Sequence, residues 1–318
     1  MLSKNSSFEF CLFSEKEMAS FTTVRSGEKR LGESLNIIGN YSDARFVILG
    51  ISESIGPLAN RGLMGAENAF SAFIATFSNT QDCSHNCACI GLVSLVGDLP
   101  PDDQLSNIVI ELDEFVFSVL SKYINDEQVP IVIGGGHNNA LPLIRWASNN
   151  AQIEVLNLDA HADCRSLEGR HSGNSFSYAF EQNLIKKYHV FGLHRYLLNA
   201  ASQQFLIDKY ANYTFYEDYI DGSRILLEDV DQLILNQPIS VRLGIEIDMD
   251  CIADMPSSAV SPSGWRLDDI RAVIRKLTNS SLDIAYLHLT EAAPKTDAEK
   301  TKVGKALSYL VRDFINLK

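Results

Sequence analysis

No run of this sequence approaches the roughly 20 uncharged apolar residues that a helix needs to cross a bilayer, so no membrane span is expected. Residues 1–17 hold only Lys4 and Lys16 as basic groups and are interrupted by Glu9, Glu15 and Glu17. The basic start and continuous apolar core of a secretory signal are missing, and a cytoplasmic protein is the expectation. Basic residues are scarce overall: 27 Lys and Arg face 40 Asp and Glu, a formal net charge of −13. Such a field repels phosphate backbones and disfavours nucleic acid as a partner. There is no glycine-rich loop ending in lysine to cradle a phosphate, which weakens a phosphatase or nuclease reading. The cysteines at 11, 83, 87, 89, 164 and 251 lack the paired spacing of a zinc finger. Even the cluster Cys83, His85, Cys87 and Cys89 reads as ordinary reduced thiols. No repeat or Pro/Ser-rich linker divides the chain, so residues 1–318 are expected to form one domain. Residues 1–30 lack a clear hydrophobic period and read as an irregular arm or a surface helix.

What is present is a regular alternation. Short β-branched runs at 46–49, 90–95, 130–133, 153–158, 189–191, 239–245 and 284–287 read as strands. Amphipathic stretches at 104–123, 268–277 and 298–315 read as helices. With 46% hydrophobic residues available for a large core, this pattern predicts an α/β fold: a mainly parallel sheet with helices on both faces.

In such sheets ligands bind beyond the carboxyl ends of the strands. Three polar motifs fall at those places: Gly134, Gly135, Gly136 and His137; Asp159, His161 and Asp163; and Asp248 with Asp250. Residues two apart on an extended segment project to the same side, so each aspartate set can converge on one point. One such motif alone reads better as helix capping or a structural histidine. Four carboxylates and two imidazoles together carry too much negative charge to share an apolar pocket without cations. His137, Asp159, His161, Asp163, Asp248 and Asp250 are therefore the expected ligands of two metal ions. An oxygen-rich set without thiolate suits Mn²⁺, and two ions roughly 3.5–4 Å apart can activate a water between them. Cys164 and Cys251 adjoin ligands but are pointed away by the alternation.

These motifs, in this order, resemble the ureohydrolase family of arginase, agmatinase and formimidoylglutamase. Residues 60–66 resemble its early glycine-rich loop, and residues 287–294, with Glu291, its late strand-end motif. The resemblance implies a three-layer α/β/α arginase-like fold, two Mn²⁺ per chain, a homo-oligomer and a small amidine or guanidine substrate, an amino acid among them. It implies Asp163 as partner of the nucleophilic water and Glu291 as the group that holds the amidinium. His171 is a candidate proton shuttle, with shaping of its loop as the other reading. Gly136 replaces the family's aspartate, Asn138 its serine and Glu246 a further serine, and Ala253 and Asp254 stand where the third motif ends in Asp-Pro. Asp163 to Arg165, followed by the segment 171–176, looks closest to formimidoylglutamase-like members. N-formimidoyl-L-glutamate carries two carboxylates, and Arg61, Arg165, Arg170, Asn174, His194 and Arg195 are the candidates to bind them. An arginase- or agmatinase-like hydrolase is the alternative, and a catalytically silent metal-binding scaffold is a third.

Overall fold

A computed structural model of the chain describes residues 3–4, 7–35, 41–82 and 86–315. Ten strands form one sheet: β1 Ser3–Lys4, β2 Phe8–Leu12, β3 Phe46–Ser52, β4 Cys87–Leu95, β5 Val129–Ile133, β6 Ile153–Leu158, β7 Ile185–Leu193, β8 Asn212–Phe215, β9 Leu243–Asp248 and β10 Ile284–Thr290. Their spatial order is β1-β2-β4-β3-β5-β10-β9-β6-β7-β8. From β4 to β8 every pairing is parallel. β1 and β2 add antiparallel at one edge. The central strands are apolar on both faces because helices cover both. Ala69–Phe77, Leu226–Asn236, Leu267–Thr278 and Asp297–Ile315 share one apolar layer with the sheet. Leu105–Tyr123, Ala140–Ala147, Ser175–Glu181 and Ala200–Asp208 share the other. The expected three-layer α/β/α architecture is what forms. No helix among the described residues is long and apolar enough to cross a membrane.

Two expectations need correction. The strand expected at 239–245 starts only at Leu243. Ile239 is 94% exposed in a turn closed by Val241 N–H donating to the Pro238 carbonyl, so its β-branched neighbours follow a helix rather than extend a strand. Residues 1–30 are not simply an irregular arm or a surface helix. β2 pairs residue for residue with β4, and the helix Glu15–Phe21 follows, capped by Ser14 and Glu17 in a reciprocal box. β2 alternates: Phe8 and Phe10 are fully buried against Phe115 and Tyr123 of the Leu105–Tyr123 helix. Cys83 and His85 lie outside the described residues. Cys87 and Cys89 are buried thiols in the apolar layer.

Because β2 anchors through Phe10, Phe10→Ala should destabilise the fold by about 3–5 kcal/mol, read as a lowered urea midpoint at unchanged slope. A midpoint within error of the parent would mean that the edge strand is dispensable.

Candidate metal centre

Five neighbouring strands, β3, β5, β10, β9 and β6, end at the same side of the sheet, and each delivers polar groups just beyond or at its last residue. These are Glu53, His137, Glu291, Asp248 with Asp250, and Asp159 with His161 and Asp163. Parallel pairing sets their height: Thr290 lies beside Asp248, and Leu289 beside both Ile247 and Ile133.

The six expected ligands converge as two donor sets. His137, Asp159, Asp163 and Asp248 bring ligand atoms within 4.8 Å of one another, and so do Asp159, His161 and Asp250. In the first set His137 Nδ1 lies 2.9 Å from Asp163 Oδ2, 3.2 Å from Asp248 Oδ2 and 3.4 Å from Asp159 Oδ2. In the second, His161 Nδ1 lies 2.9 Å from Asp250 Oδ2 and 3.6 Å from Asp159 Oδ1. Asp159 thus gives one oxygen to each set and joins them. Asp163 reaches its place with φ 43°, a left-handed conformation rare for a side-chain-bearing residue and held here by the surrounding loop.

The electrostatics call for cations. Burial, then the repulsion of Asp250 and Asp159, pushes the Asp248 carboxyl well above the usual carboxylate range. Burial and Asp159 also raise Asp163. Burial opposes a charge on His137, yet its contacts with Asp159, Asp163, Asp248 and Glu246 prevail and raise its pKa well above the ordinary value. A positive charge is needed where these carboxylates meet. Asp250 Oδ1 is buried without a hydrogen-bond partner, as suits an oxygen reserved for a metal. The donor set fits two hard divalent ions with imidazole co-ligands.

The walls explain the departures from the family pattern. A Cβ on Gly136 would sit 2.2 Å from Pro57 Cδ, so no side chain can stand there. A carboxylate reaches the same backbone from Glu53 at the exit of β3. Glu53 Oε1 accepts from Gly136 N at 2.7 Å, Asn139 Nδ2 at 2.7 Å and Asn138 Nδ2 at 3.3 Å, while Oε2 accepts from Ile55 N and Gly56 N. Gly135, at φ 68°, turns the chain so that its carbonyl accepts from Glu291 N and Thr290 Oγ1. Glu291 Oε1 in turn accepts from His137 N at 2.7 Å, and Oε2 from Ser258 Oγ. Burial lifts the Glu291 pKa to about 7. Glu53 and Ser258 were missed by the sequence reading. Only the position of Glu53, directly after a strand, could have signalled it.

A cavity of about 320 Å³ opens over the two sets, lined among others by His161, Asp163, Asp248, Asp250, Glu291, Asn60, Ser258 and Arg165. Of the substrate-binding candidates only Arg165 lines it. Arg165 is half exposed, donating to Asn60 Oδ1 at 2.9 Å and pairing with Glu168 at 3.2 Å. The others are placed differently from expectation. Arg170 is buried against Asp113 at 2.8 Å, and Asn174 is buried holding Arg170. Arg195 pairs with Asp218 over the Phe215 ring, and His194 stacks on Tyr216. Arg61 and His171 line a neighbouring cavity that shares Asn60 and Arg165 with the first. His171 Nδ1 accepts from Gly173 N, and Nε2 lies 3.4 Å from Glu168, so its hydrogen bonds shape the loop. Burial and Arg165 lower its pKa to about 4.

If Glu53 has taken over the missing carboxylate, then Gly136→Asp, although it returns the residue of the family pattern, should destabilise the fold by about 1–3 kcal/mol through overpacking against Pro57. Urea unfolding measures this, and an unchanged or raised midpoint would show that the loop has room for the side chain.

The family model for the arginase family matches residues 46–315. Arginase 2, chloroplastic/mitochondrial, of Arabidopsis thaliana is 24% identical over 93% of this chain and 87% of its own length. Formimidoylglutamase of Staphylococcus aureus is 23% identical over 84% of this chain and 85% of its own. The crystal structure of Trypanosoma cruzi formiminoglutamase with Mn²⁺ superposes with a TM-score of 0.70 at 21% identity, covering 92% of this chain and all of that one. With the match covering residues 46–315 of the 318, the chain belongs to the arginase family of metal-dependent amidino hydrolases.

Proposed function

We propose that the chain works as one ureohydrolase-like domain holding two Mn²⁺ ions, and that it hydrolyses N-formimidoyl-L-glutamate to L-glutamate and formamide. The observation that carries this reading is one cavity, lined by Glu291 and Arg165, that opens over two donor sets joined by Asp159. When bound, the ion pair supplies Lewis acidity and lowers the pKa of water towards neutrality.

The protein's own groups do the rest. Glu291 is fixed by two hydrogen bonds, from His137 N and Ser258 Oγ. Its carboxylate is a counter-charge for the amidinium, orienting the planar carbon in the cavity. Asp163, on the cavity wall, takes a proton from the attacking water and returns it to the departing α-amine nitrogen. Arg165 offers a guanidinium to a substrate carboxylate, with Asn60 as a neutral donor alongside. Because Arg165 is the one arginine lining this cavity among the described residues, a guanidino acid with a single carboxylate, such as arginine, is the second reading. Agmatine, which has no carboxylate, leaves Arg165 unused. A catalytically silent scaffold would keep the ions without turnover.

A panel of formimidoylglutamate, arginine and agmatine, assayed with Mn²⁺ at equal subsaturating concentrations, ranks these readings. Formimidoylglutamate should turn over fastest and agmatine slowest. Faster hydrolysis of agmatine would defeat the carboxylate argument, and no turnover with both ions bound would favour the scaffold.

Glu291→Gln keeps the volume and removes the charge. Both ions should stay, while kcat/KM falls by about one to two orders of magnitude, equivalent to the loss of a charge-assisted hydrogen bond of about 1.5–3 kcal/mol. Parental turnover in a fully loaded variant would make Glu291 structural.

A further inference from the structure

Beneath the donor sets lies a second layer of polar side chains in strands that are otherwise apolar. Asn157 on β6, Glu246 on β9 and His288 on β10 sit side by side in register and are all fully buried. Asn157 Nδ2 donates upward to Asp159 Oδ2 at 2.9 Å. Glu246 is the centre of the layer. Its Oε1 accepts from Tyr286 Oη at 2.7 Å, and its Oε2 lies 2.6 Å from His288 Nδ1 and 3.5 Å from His137 Nε2.

The tautomers follow from hydrogen-bond bookkeeping. His288 Nε2 is buried without a partner. An orphan lone pair costs less than an orphan N–H, so the proton sits on Nδ1 and points at Glu246. His137 presents Nδ1 to the aspartates of the first donor set. Its Nε2 has no hydrogen bond, and its recorded polar contact among the described residues is the Glu246 carboxylate, at ion-pair distance. A neutral imidazole that gives its Nδ1 lone pair to a metal carries its proton on Nε2, where the Glu246 carboxylate, 3.5 Å away, is the charge it faces. This is the carboxylate–histidine–metal arrangement that orients a ligand and strengthens it as a donor.

We propose that Glu246 is a positioning residue for the metal on the His137 side, orienting the imidazole and raising its donor strength through Nε2–H. The inference rests on the metal-centre reading above. It adds that the two ions depend unequally on the layer below: the His137 side loses its support when Glu246 is neutralised, while the Asp159, His161 and Asp250 side does not.

The test is a Mn²⁺ titration followed by electron paramagnetic resonance on the parent, Glu246→Gln and Glu154→Gln. Glu154 forms a comparable buried pair with His189, 2.9 Å apart on β6 and β7, and touches neither donor set. It controls for the general loss of a buried carboxylate–histidine pair. The parent should bind two ions with the spectrum of a coupled pair. Glu246→Gln should bind one of them about 10- to 100-fold more weakly, giving an isolated-ion spectrum at Mn²⁺ concentrations that fill the parent. Glu154→Gln should match the parent. A parent that binds fewer than two ions would defeat the metal-centre reading itself. Two ions of parental affinity in Glu246→Gln, or equal losses in both variants, would overturn the role of Glu246 alone. Should Glu246→Gln fail to fold, the parent loaded with diamagnetic Zn²⁺ carries the test. ¹⁵N-histidine NMR should then show His137 as the Nε2–H tautomer, and an imidazole protonated on Nδ1 would overturn the role.

Discussion

The arrangement depends on mutual repulsion among buried carboxylates. Asp159, Asp163 and Asp248 meet around one imidazole nitrogen, and Asp159 and Asp250 meet around another. In a low-dielectric interior such a group of anions is unfavourable unless positive charge lies between them. The parallel sheet holds them there regardless, because their strands are locked by ladders on both sides and by two apolar layers. Folding energy from the cores thus maintains a site that is unfavourable by itself, a division of labour common at functional sites.

The departures from the family pattern form two coherent adjustments. At the β5 exit, Pro57 fills the space of a side chain at position 136, and Glu53 reaches the same backbone from the next strand. Beneath the ligands, Glu246 brings a formal negative charge where the pattern has a serine, and Tyr286 and His288 donate to its two oxygens. In both places a carboxylate is fully engaged by N–H or O–H donors.

Much of this was legible in the sequence because the signals were local. Short β-branched runs followed by aspartate, or by a glycine turn and histidine, located the strand exits, and the spacing of Asp159, His161 and Asp163 located a convergent set. The edge strand Phe8–Leu12 escaped because five residues with one solvent-facing side, followed at once by a helix, leave too short a pattern. The strand at 239–245 was misplaced because β-branched residues also occupy the turn before Leu243. The substrate side was the least legible. Whether an arginine near a motif faces the cavity depends on partners remote in sequence: Asp113 for Arg170 and Asp218 for Arg195. Asn157, Glu246 and His288 did leave a trace, as polar residues interrupting buried strands. Their common level emerges only from the strand order β10-β9-β6.

The central claim is that the fold brings these carboxylates together to hold a pair of cations. Anomalous diffraction at the manganese edge, from crystals of the chain grown with Mn²⁺, measures this directly. Two peaks are expected, one among His137, Asp159, Asp163 and Asp248 and the other among Asp159, His161 and Asp250, with Asp159 touching both. A single peak, or none with the six side chains ordered as described, would contradict it.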